Sequence, residues 1–211
     1  MYERIKGNLL KDQVYDKVAE MVANAELLPG DRITENQLSE RFGISLTPVR
    51  EALIKLSSNG IIHKVAHKGF YINKYSDEEV NEIYEVLVVL QEFAIRLKIN
   101  DFTESDIAAQ ETLLHDMETA YRNKDYNEYL KANHRLHDYY VKQADNKFLF
   151  DIYHNLSTLP IPVFYFSDES KNIDSMKKGI EDHHNIIEAL RNKDIESVRN
   201  ILMSHYFDTN T

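Results

Sequence analysis

The stretch "FGISLTPVREAL", residues 42–53, predicts two short helices joined by a tight turn. Gly43 can adopt the left-handed backbone conformation that most residues avoid, so it is expected to end the first helix. Ser45 or Thr47 can cap the second helix. Two helices joined in this way are typical of proteins that read the major groove of DNA, although Leu46 stands where a polar side chain would be expected.

Helices are predicted on both sides of this turn. Apolar residues at helical spacing indicate an amphipathic helix within "QVYDKVAEMVANAEL", residues 13–27. Thr34 followed by Gln37 forms a capping box for the helix that Gly43 ends. The next helix is expected from about residue 47 to residue 57, with its apolar residues on an inner face. Three helices are therefore predicted in the first part of the chain.

A β-hairpin is predicted after these helices. The β-forming residues 61–62 and 70–72 flank a short turn that ends at Gly69. Three helices followed by a hairpin make a winged helix-turn-helix, which is expected to occupy residues 1–73.

The remainder of the chain, from Ser76 onward, has an almost continuous helical pattern. Ser76 and Glu79 form another capping box, and residues 80–97 are apolar around much of the helix circumference, as in the core of a bundle. Further helices are predicted at about 104–122, 126–143, 147–158, 175–192 and 195–207. Residues 76–211 are thus predicted to form an antiparallel helical bundle, and the fold class is mainly α.

The charge of the chain is unevenly distributed. The net charge is −10, but residues 1–74 carry 11 Lys and Arg against 9 Asp and Glu, whereas residues 75–211 carry 14 against 26. The first domain is therefore at +2 and the second at −12. Because the charge of each domain decides its partners, a mildly basic first domain with clustered Lys and Arg can still bind phosphates.

Composition also indicates the compartment. The chain contains no cysteine, which excludes disulfides and thiolate metal ligands and fits a reducing cytoplasm. No apolar stretch approaches the ~18 residues of a membrane span, and the N-terminus is too charged for a secretory signal peptide. A cytoplasmic protein without a membrane partner is expected.

Residues 27–62, "LLPGDRITENQLSERFGISLTPVREALIKLSSNGII", with "HKGFYI" at 67–72, resemble the DNA-binding domain of GntR-type bacterial transcription regulators. The match covers residues 9–73, with the Pro-Gly-Asp turn and the wing glycine in the family order and spacing. The resemblance implies a sequence-specific regulator that binds a double-stranded DNA operator. Because one recognition helix covers only a few base pairs, we expect a homodimer on a short inverted repeat.

Candidate DNA contacts lie at the start of the recognition helix and on the hairpin. Only the N-terminal end of such a helix reaches base edges, and there Arg50 can donate a bidentate pair to guanine or clamp a phosphate. The alternative for Arg50 is a surface salt bridge with Glu51 or Glu40. The full candidate set is Asn36, Ser45, Leu46, Thr47, Arg50, Lys64, Lys68 and Gly69.

Leu46 departs from the family pattern, since many members have Arg at this position. Leucine cannot donate a hydrogen bond, but it can pack against a thymine methyl group, so altered operator preference or weaker base readout is expected. The alternative is that Leu46 is partly buried and staples the start of the helix.

The second half resembles the helical effector domain of the FadR subgroup. The segments "NHRLHDYY", "HHNIIEAL" and "SHYFD", which begin at residues 133, 183 and 204, match three places where that domain usually carries metal-binding residues. The resemblance implies a divalent transition metal, Zn²⁺ or Ni²⁺, held by nitrogen and oxygen donors. The implied ligands are Asn133, His137, His183 and His205.

Several departures from the family bear on this site. Asn133 stands where the family commonly has Asp, and a neutral amide is a weaker donor than a carboxylate. The family's Arg and Glu, which hold carboxylate effectors, are replaced by Leu87 and Gln91. Without the guanidinium, the pocket is expected to take a small-molecule effector less charged than a simple carboxylate, or none. The remaining candidate histidines, interpreted as bystanders, are His134, His154 and His184.

Two alternatives to an effector-responsive regulator remain open at this point. Three His with an open coordination position could activate water in a metal-dependent hydrolase. Against this, no Asp or Glu is obviously placed as a general base beside "NHRLH". The other alternative is a constitutive DNA-binding protein whose helical half serves only as a dimer clamp.

Overall fold

The computed structural model describes residues 10–23, 26–159 and 169–207. The chain divides into two compact units, Met1–Lys74 and Tyr75–Thr211. The predicted mainly α fold class is confirmed, because within these described ranges strands occur only as a small sheet in the first unit. None of the described helices is long and apolar enough to cross a membrane.

The first unit contains the predicted helices and hairpin. Its elements are α1 (Leu10–Ala23), β1 (Arg32–Ile33), α2 (Glu35–Phe42), α3 (Leu46–Ser58), β2 (Ile62–Val65) and β3 (Gly69–Ile72). The capping box of Thr34 and Gln37 is formed, and Gly43 ends α2 with a φ of 66°. Buried apolar side chains of α1, α3, the sheet and the residue that precedes β2 make the core of this unit: Val18, Val49, Leu53, Leu56, Ile61 and Ile72.

The start of α3 differs in detail from the prediction. The helix begins at Leu46, so Thr47 lies inside its first turn and is not a cap. Ser45 is the N-cap by its extended backbone, but its side chain makes no capping hydrogen bond within the described chain. Because the hydroxyl of Ser45 is not used by the helix and is exposed, it is available to another partner.

The sheet has a strand that the sequence did not reveal. β1 pairs antiparallel with β3, and the strand order is β1-β3-β2. Gly69 has a φ of 104°, and a Cβ at this position would lie 3.1 Å from the Ile33 carbonyl oxygen. The glycine is therefore required where β3 begins beside β1, because an L side chain would strain the backbone and crowd the neighbouring strand.

The described part of the second unit consists of helices and the turns that join them. The helices are α4 (Asp77–Lys98), α5 (Glu104–Arg122), α6 (Tyr126–Lys142), α7 (Lys147–Ser157), α8 (Glu169–Arg191) and α9 (Ile195–Phe207). The capping box of Ser76 and Glu79 is formed at the start of α4. The predicted start of α8 at residue 175 is wrong by six residues. The segment "ESKNID" is mostly polar and carries no apolar periodicity, but it contains no residue that breaks a helix.

The core of the second unit lies between α4, α5, α6, α8 and α9. Its fully buried members include Ile95, Leu114, Met117, Leu136, Ile186 and Leu202. α5 packs along α6 and α8, while α9 packs along α4 and α8. A second cluster joins α4 to α6 and α7 through Leu87, Val141, Leu149 and Tyr153. These two clusters fix the helices that carry the candidate metal ligands.

Candidate functional site

The structure brings the four predicted metal ligands together inside the second unit. Asn133 and His137 are four residues apart on α6 and share one face, whereas His183 is on α8 and His205 on α9. Asn133 Oδ1 lies 2.9 Å from His183 Nε2, and His137 Nε2 lies 3.1 Å from His205 Nε2. One amide oxygen and three imidazole nitrogens therefore converge on one point.

Each of the three imidazoles is oriented by a second partner at its other ring nitrogen. The Gln91 amide lies 3.0 Å from His137 Nδ1, and the Asp182 carboxylate lies 3.2 Å from His205 Nδ1. The third Nδ1, on His183, lies 3.4 Å from the Tyr140 hydroxyl. Because every Nδ1 is occupied in this way, every Nε2 is directed into the cluster. This is the arrangement that outer partners give to metal-binding histidines.

Burial favours the neutral form of two imidazoles of this cluster, those of His137 and His183. His183 is fully buried and His137 is 5% exposed. Burial, reinforced by the neighbouring imidazoles, holds the pKa of His137 and of His183 well below the ordinary imidazole value. Neutral imidazoles offer lone pairs, which is the state that a metal ion requires.

The carboxyl group of Asp182 has the opposite character. Burial alone would raise its pKa, but the hydrogen bond and charge of His205, together with Lys178, hold the pKa of Asp182 below the ordinary carboxyl value. An ionised carboxylate can only accept a hydrogen bond, so a neutral His205 carries its proton on Nδ1 and presents a lone pair at Nε2. That lone pair faces His137 Nε2.

This donor set fits a divalent transition metal. Three neutral imidazole nitrogens and one amide oxygen are ligands that Zn²⁺ and Ni²⁺ accept. The ligand atoms of the three histidines all lie within 4.8 Å of one another. The residues that would hold the ion are thus Asn133, His137, His183 and His205.

Leu87 and Gln91, which the resemblance places where the family carries its effector-anchoring Arg and Glu, are both buried. Leu87 is buried in the cluster between α4, α6 and α7. Gln91 is fully buried, and besides contacting His137 it accepts a hydrogen bond of 3.1 Å from the Tyr206 hydroxyl. Neither side chain carries a charge, so this part of α4 provides no ion-pair partner for an organic acid.

The three histidines interpreted as bystanders do not share one environment. His184 lies on the surface, where its Nε2 is 2.9 Å from a carboxylate oxygen of Glu118. His134 and His154, by contrast, lie beside Asp138 in a second cluster of ligand atoms. All three histidines lie outside the cluster around His183, and two of them share a second group of ligand atoms with Asp138.

The candidate DNA-binding residues lie on the surface of the first unit. Among the set Asn36, Ser45, Thr47, Arg50, Lys64 and Lys68, every side chain is exposed, while Leu46 and Gly69 are half-buried. Leu46 thus combines features of both alternatives, since it is partly covered at the first residue of α3 yet also reaches solvent.

Arg50 does form a surface ion pair, but with a different partner from those expected. Its Nε lies 2.5 Å from a carboxylate oxygen of Glu35 at the start of α2. Glu51, one of the expected partners, lies 3.4 Å from Lys11 Nζ instead. The Arg50 side chain is more than half exposed, so its remaining guanidinium donors are open to solvent.

The sequence did not reveal the partners of the imidazoles. Asp182 directly precedes His183 but contacts His205, and Tyr140 is three residues beyond His137 but contacts His183. Gln91 was singled out only as a departure from the family pattern. Spacing along one helix gives no signal for such contacts, because each partner belongs to a different helix from the imidazole that it orients.

Comparisons with known families agree with the division into two units. Residues 82–208 match the family described as FCD domain. Residues 10–72 match the family described as bacterial regulatory proteins, gntR family. Together the two matches cover nearly all of the described residues.

Individual relatives show the same similarity along the whole chain. The HTH-type transcriptional regulator YdhC of Bacillus subtilis is 26% identical over 92% of this chain and 86% of its own length. The HTH-type transcriptional repressor RspR of Escherichia coli is also 26% identical, over 93% of this chain and 85% of its own. The structure of McbR/YncC from Escherichia coli superposes with a TM-score of 0.86 at 24% identity, covering 96% of this chain and 95% of that one.

Proposed function

We propose, from the premise that this chain belongs to the gntR family of bacterial regulatory proteins and carries an FCD domain, that it binds an operator as a homodimer and senses a small molecule at a metal-containing pocket. The chain is a transcription regulator and not an enzyme, so the hydrolase alternative is set aside. The observation that carries the proposal is the convergence of three imidazole Nε2 atoms and the Asn133 oxygen inside the FCD domain.

DNA binding is assigned to the surface around the start of α3. Exposed hydrogen-bonding groups at Ser45, Thr47 and Arg50 stand where a recognition helix meets base edges. Lys64 and Lys68 on the hairpin are exposed cations that suit a phosphate backbone. Their arrangement supports a winged helix whose α3 reads the major groove while the hairpin contacts the backbone. Because RspR is named as a repressor, repression is the proposed direction of regulation.

Dimerisation is assigned to an apolar face of α4. Four large apolar side chains are exposed there at helical spacing: Val86, Val89, Phe93 and Leu97. Val89, for example, is 64% exposed. A helix face of this kind is a common protein–protein contact, and an isologous dimer would bury the same face of both copies. A homodimer on an inverted repeat follows from that symmetry.

The metal pocket is assigned to effector binding. The metal, when bound, supplies a Lewis acid that can accept an oxygen donor. The protein provides the three imidazoles and holds each ring through Gln91, Tyr140 or Asp182. Since Leu87 and Gln91 provide no cation, the effector is expected to be less charged than a simple carboxylate.

Metal analysis of the untagged full-length protein tests the proposal. Wild type should contain Zn or Ni, and His183→Ala or His205→Ala should each contain one equivalent per chain fewer. His184→Ala is the matched control, because it removes a surface imidazole outside the cluster, and it should leave the content unchanged. Equal metal content in His183→Ala and wild type would contradict the assignment.

Operator binding tests the link between the pocket and DNA. An operator is first selected from a random library, and its affinity is then measured in gel shifts with a panel of sugars, polyols and organic acids. A compound that changes the affinity of wild type but not of His205→Ala supports sensing at the pocket. If no compound acts and no metal is present, the constitutive dimer clamp is the better description.

Light scattering tests the dimer. Wild type should elute as a dimer, and Phe93→Lys should weaken it because a charge would be buried in the interface. Leu28→Lys is the control, since Leu28 is a similarly exposed apolar residue of the other unit. A fully dimeric Phe93→Lys variant would exclude this face of α4.

A further inference from the structure

A second pair of possible metal ligands lies on α6 beside the first. His134 and Asp138 are four residues apart, as are Asn133 and His137, so each pair presents its side chains along one face. The two pairs differ by one residue, which turns the second pair by about 100° around the helix. His137 faces α8 and α9, whereas Asp138 faces α7, where His154 completes the second cluster.

The ligand atoms of this cluster are close together. His134 Nε2 lies 3.8 Å from Asp138 Oδ1, and His154 Nδ1 lies 3.6 Å from Asp138 Oδ2. All three ligand atoms lie within 4.8 Å of one another. They are too far apart for good hydrogen bonds, but their spacing leaves room for an ion between them.

Two of these atoms are buried and lack the partners that buried polar atoms normally have. Asp138 is only 7% exposed. Within the described part of the chain, Asp138 Oδ1 and His154 Nδ1 are both buried without a hydrogen-bond partner. Buried polar atoms without a partner are uncommon in native structures, so two of them in one cluster are a specific reason to expect an ion bound there.

The neighbouring lysine is compatible with a cation at this point. Lys142 Nζ lies 3.8 Å from Asp138 Oδ2, but its side chain is 58% exposed. A long, exposed ammonium can turn into water when another cation binds the carboxylate. His134 and His154 are partly exposed, so an ion could enter from solvent and keep water on its open coordination positions.

We propose that His134, Asp138 and His154 form a second site for a divalent transition metal, which bridges α6 and α7. Two imidazoles and one carboxylate are the protein ligands of many open Zn²⁺ sites. One ligand of this site, the Asp138 carboxylate, attracts a metal ion by its charge. The cluster around His183 has no anionic ligand and depends more on the preorganisation of its donors. Because α7 also packs against α4, an ion here ties together the helices that surround Leu87.

Zinc titration of the untagged full-length protein against a chromophoric chelator tests this site, which does not rest on the proposed function. The double variant His183→Ala/His205→Ala removes two ligands of the first cluster, and it should still bind one Zn²⁺ per chain. Adding His154→Ala or Asp138→Asn should weaken that binding by more than about tenfold. Losing a residue that only hydrogen-bonds to a metal ligand already costs about tenfold, and these two variants lose a ligand itself. His184→Ala in the same background should leave the binding unchanged.

Wild-type stoichiometry provides a second measurement in case the double variant does not fold. Wild type should bind two Zn²⁺ per chain, and His154→Ala alone should bind one. Circular dichroism should show the same helix content for His154→Ala and wild type, because this histidine is partly exposed. The proposal is overturned if His154→Ala and Asp138→Asn bind as much zinc as their parents. If wild type binds one Zn²⁺ per chain that His154→Ala loses and His183→Ala keeps, the second site stands and the pocket around His183 is refuted instead.

Discussion

Asp182 offers the sharpest test of the metal pocket, because it acts on His205 without being a ligand. Its carboxylate lies 3.2 Å from His205 Nδ1 and 3.3 Å from Lys178 Nζ. The carboxylate fixes the proton of a neutral His205 on Nδ1 and thereby directs the lone pair of Nε2 toward the other ligands. Asp182→Ala removes both the hydrogen bond and the charge, and it leaves the imidazole free to change its tautomer and to rotate.

The expected loss can be estimated from the role of such partners. Removing an outer partner of a metal-binding histidine typically lowers metal affinity 10–100-fold, which corresponds to about 1.4–2.7 kcal/mol. Asp182→Asn should lose less, because its amide oxygen can still accept the hydrogen bond from Nδ1 while the negative charge is gone. The difference between the two variants separates the hydrogen bond from the charge.

The assay is competition for Zn²⁺ against a chelator of known affinity, with Glu181→Ala as the matched control. Glu181 is the preceding residue of α8, its side chain is 61% exposed, and it pairs only loosely with Lys177. Its removal changes the net charge as Asp182→Ala does, but an exposed charge acts weakly through water, so affinity should stay within about threefold. If Asp182→Ala binds zinc as tightly as Glu181→Ala, the carboxylate does not position a ligand.

Further predictions concern the DNA-binding unit. Arg50→Ala should weaken binding to the selected operator by about 1–3 kcal/mol in gel shifts at fixed salt. Glu35→Gln should strengthen binding, because it releases the Arg50 guanidinium from its ion pair. Equal binding by wild type and both variants would remove Arg50 from the interface. Leu46→Arg should shift the preferred base at one symmetric pair of positions toward guanine if Leu46 contacts DNA, and should lower the melting temperature alone if it is a staple. Gly69→Ala should destabilise the unit by about 1–3 kcal/mol in urea unfolding, because its φ is 104° and Ile33 lies beside it; an unchanged midpoint would contradict the strain.

Much of the fold could be predicted because its signals are local. The capping boxes at Thr34 and Ser76, and the left-handed turn at Gly43, are formed as expected, since each depends on residues within three or four positions. β1 was missed because two residues give no alternation, and its pairing with β3 joins segments almost forty residues apart. The early start of α8 was missed because a polar first turn has no periodicity.

The candidate site could be predicted only in part, for the same reason. The i and i+4 pair at Asn133 and His137 is a local signal, and the family resemblance supplied the other two histidines. The equally local pair at His134 and Asp138 predicts no site by itself, because nothing in the sequence connects it to His154 on the next helix. Side chains from different helices are brought together only by the packing of those helices, and spacing along one helix does not predict that packing.

One helix-interior residue, Gly179, did carry a signal of this convergence. Glycine inside a helix is destabilising by about 0.5–1 kcal/mol relative to alanine, so its presence in α8 calls for a reason. Tyr129 of α6 reaches across to α8, where its hydroxyl donates to the Met176 carbonyl oxygen over 3.1 Å. A Cβ on Gly179 would overlap that hydroxyl and lie 3.8 Å from His205 Cε1. Gly179 and His183 are four residues apart on one face of α8. Because Gly179 has no side chain, α6 and α9 can pack against α8 next to His183 and His205.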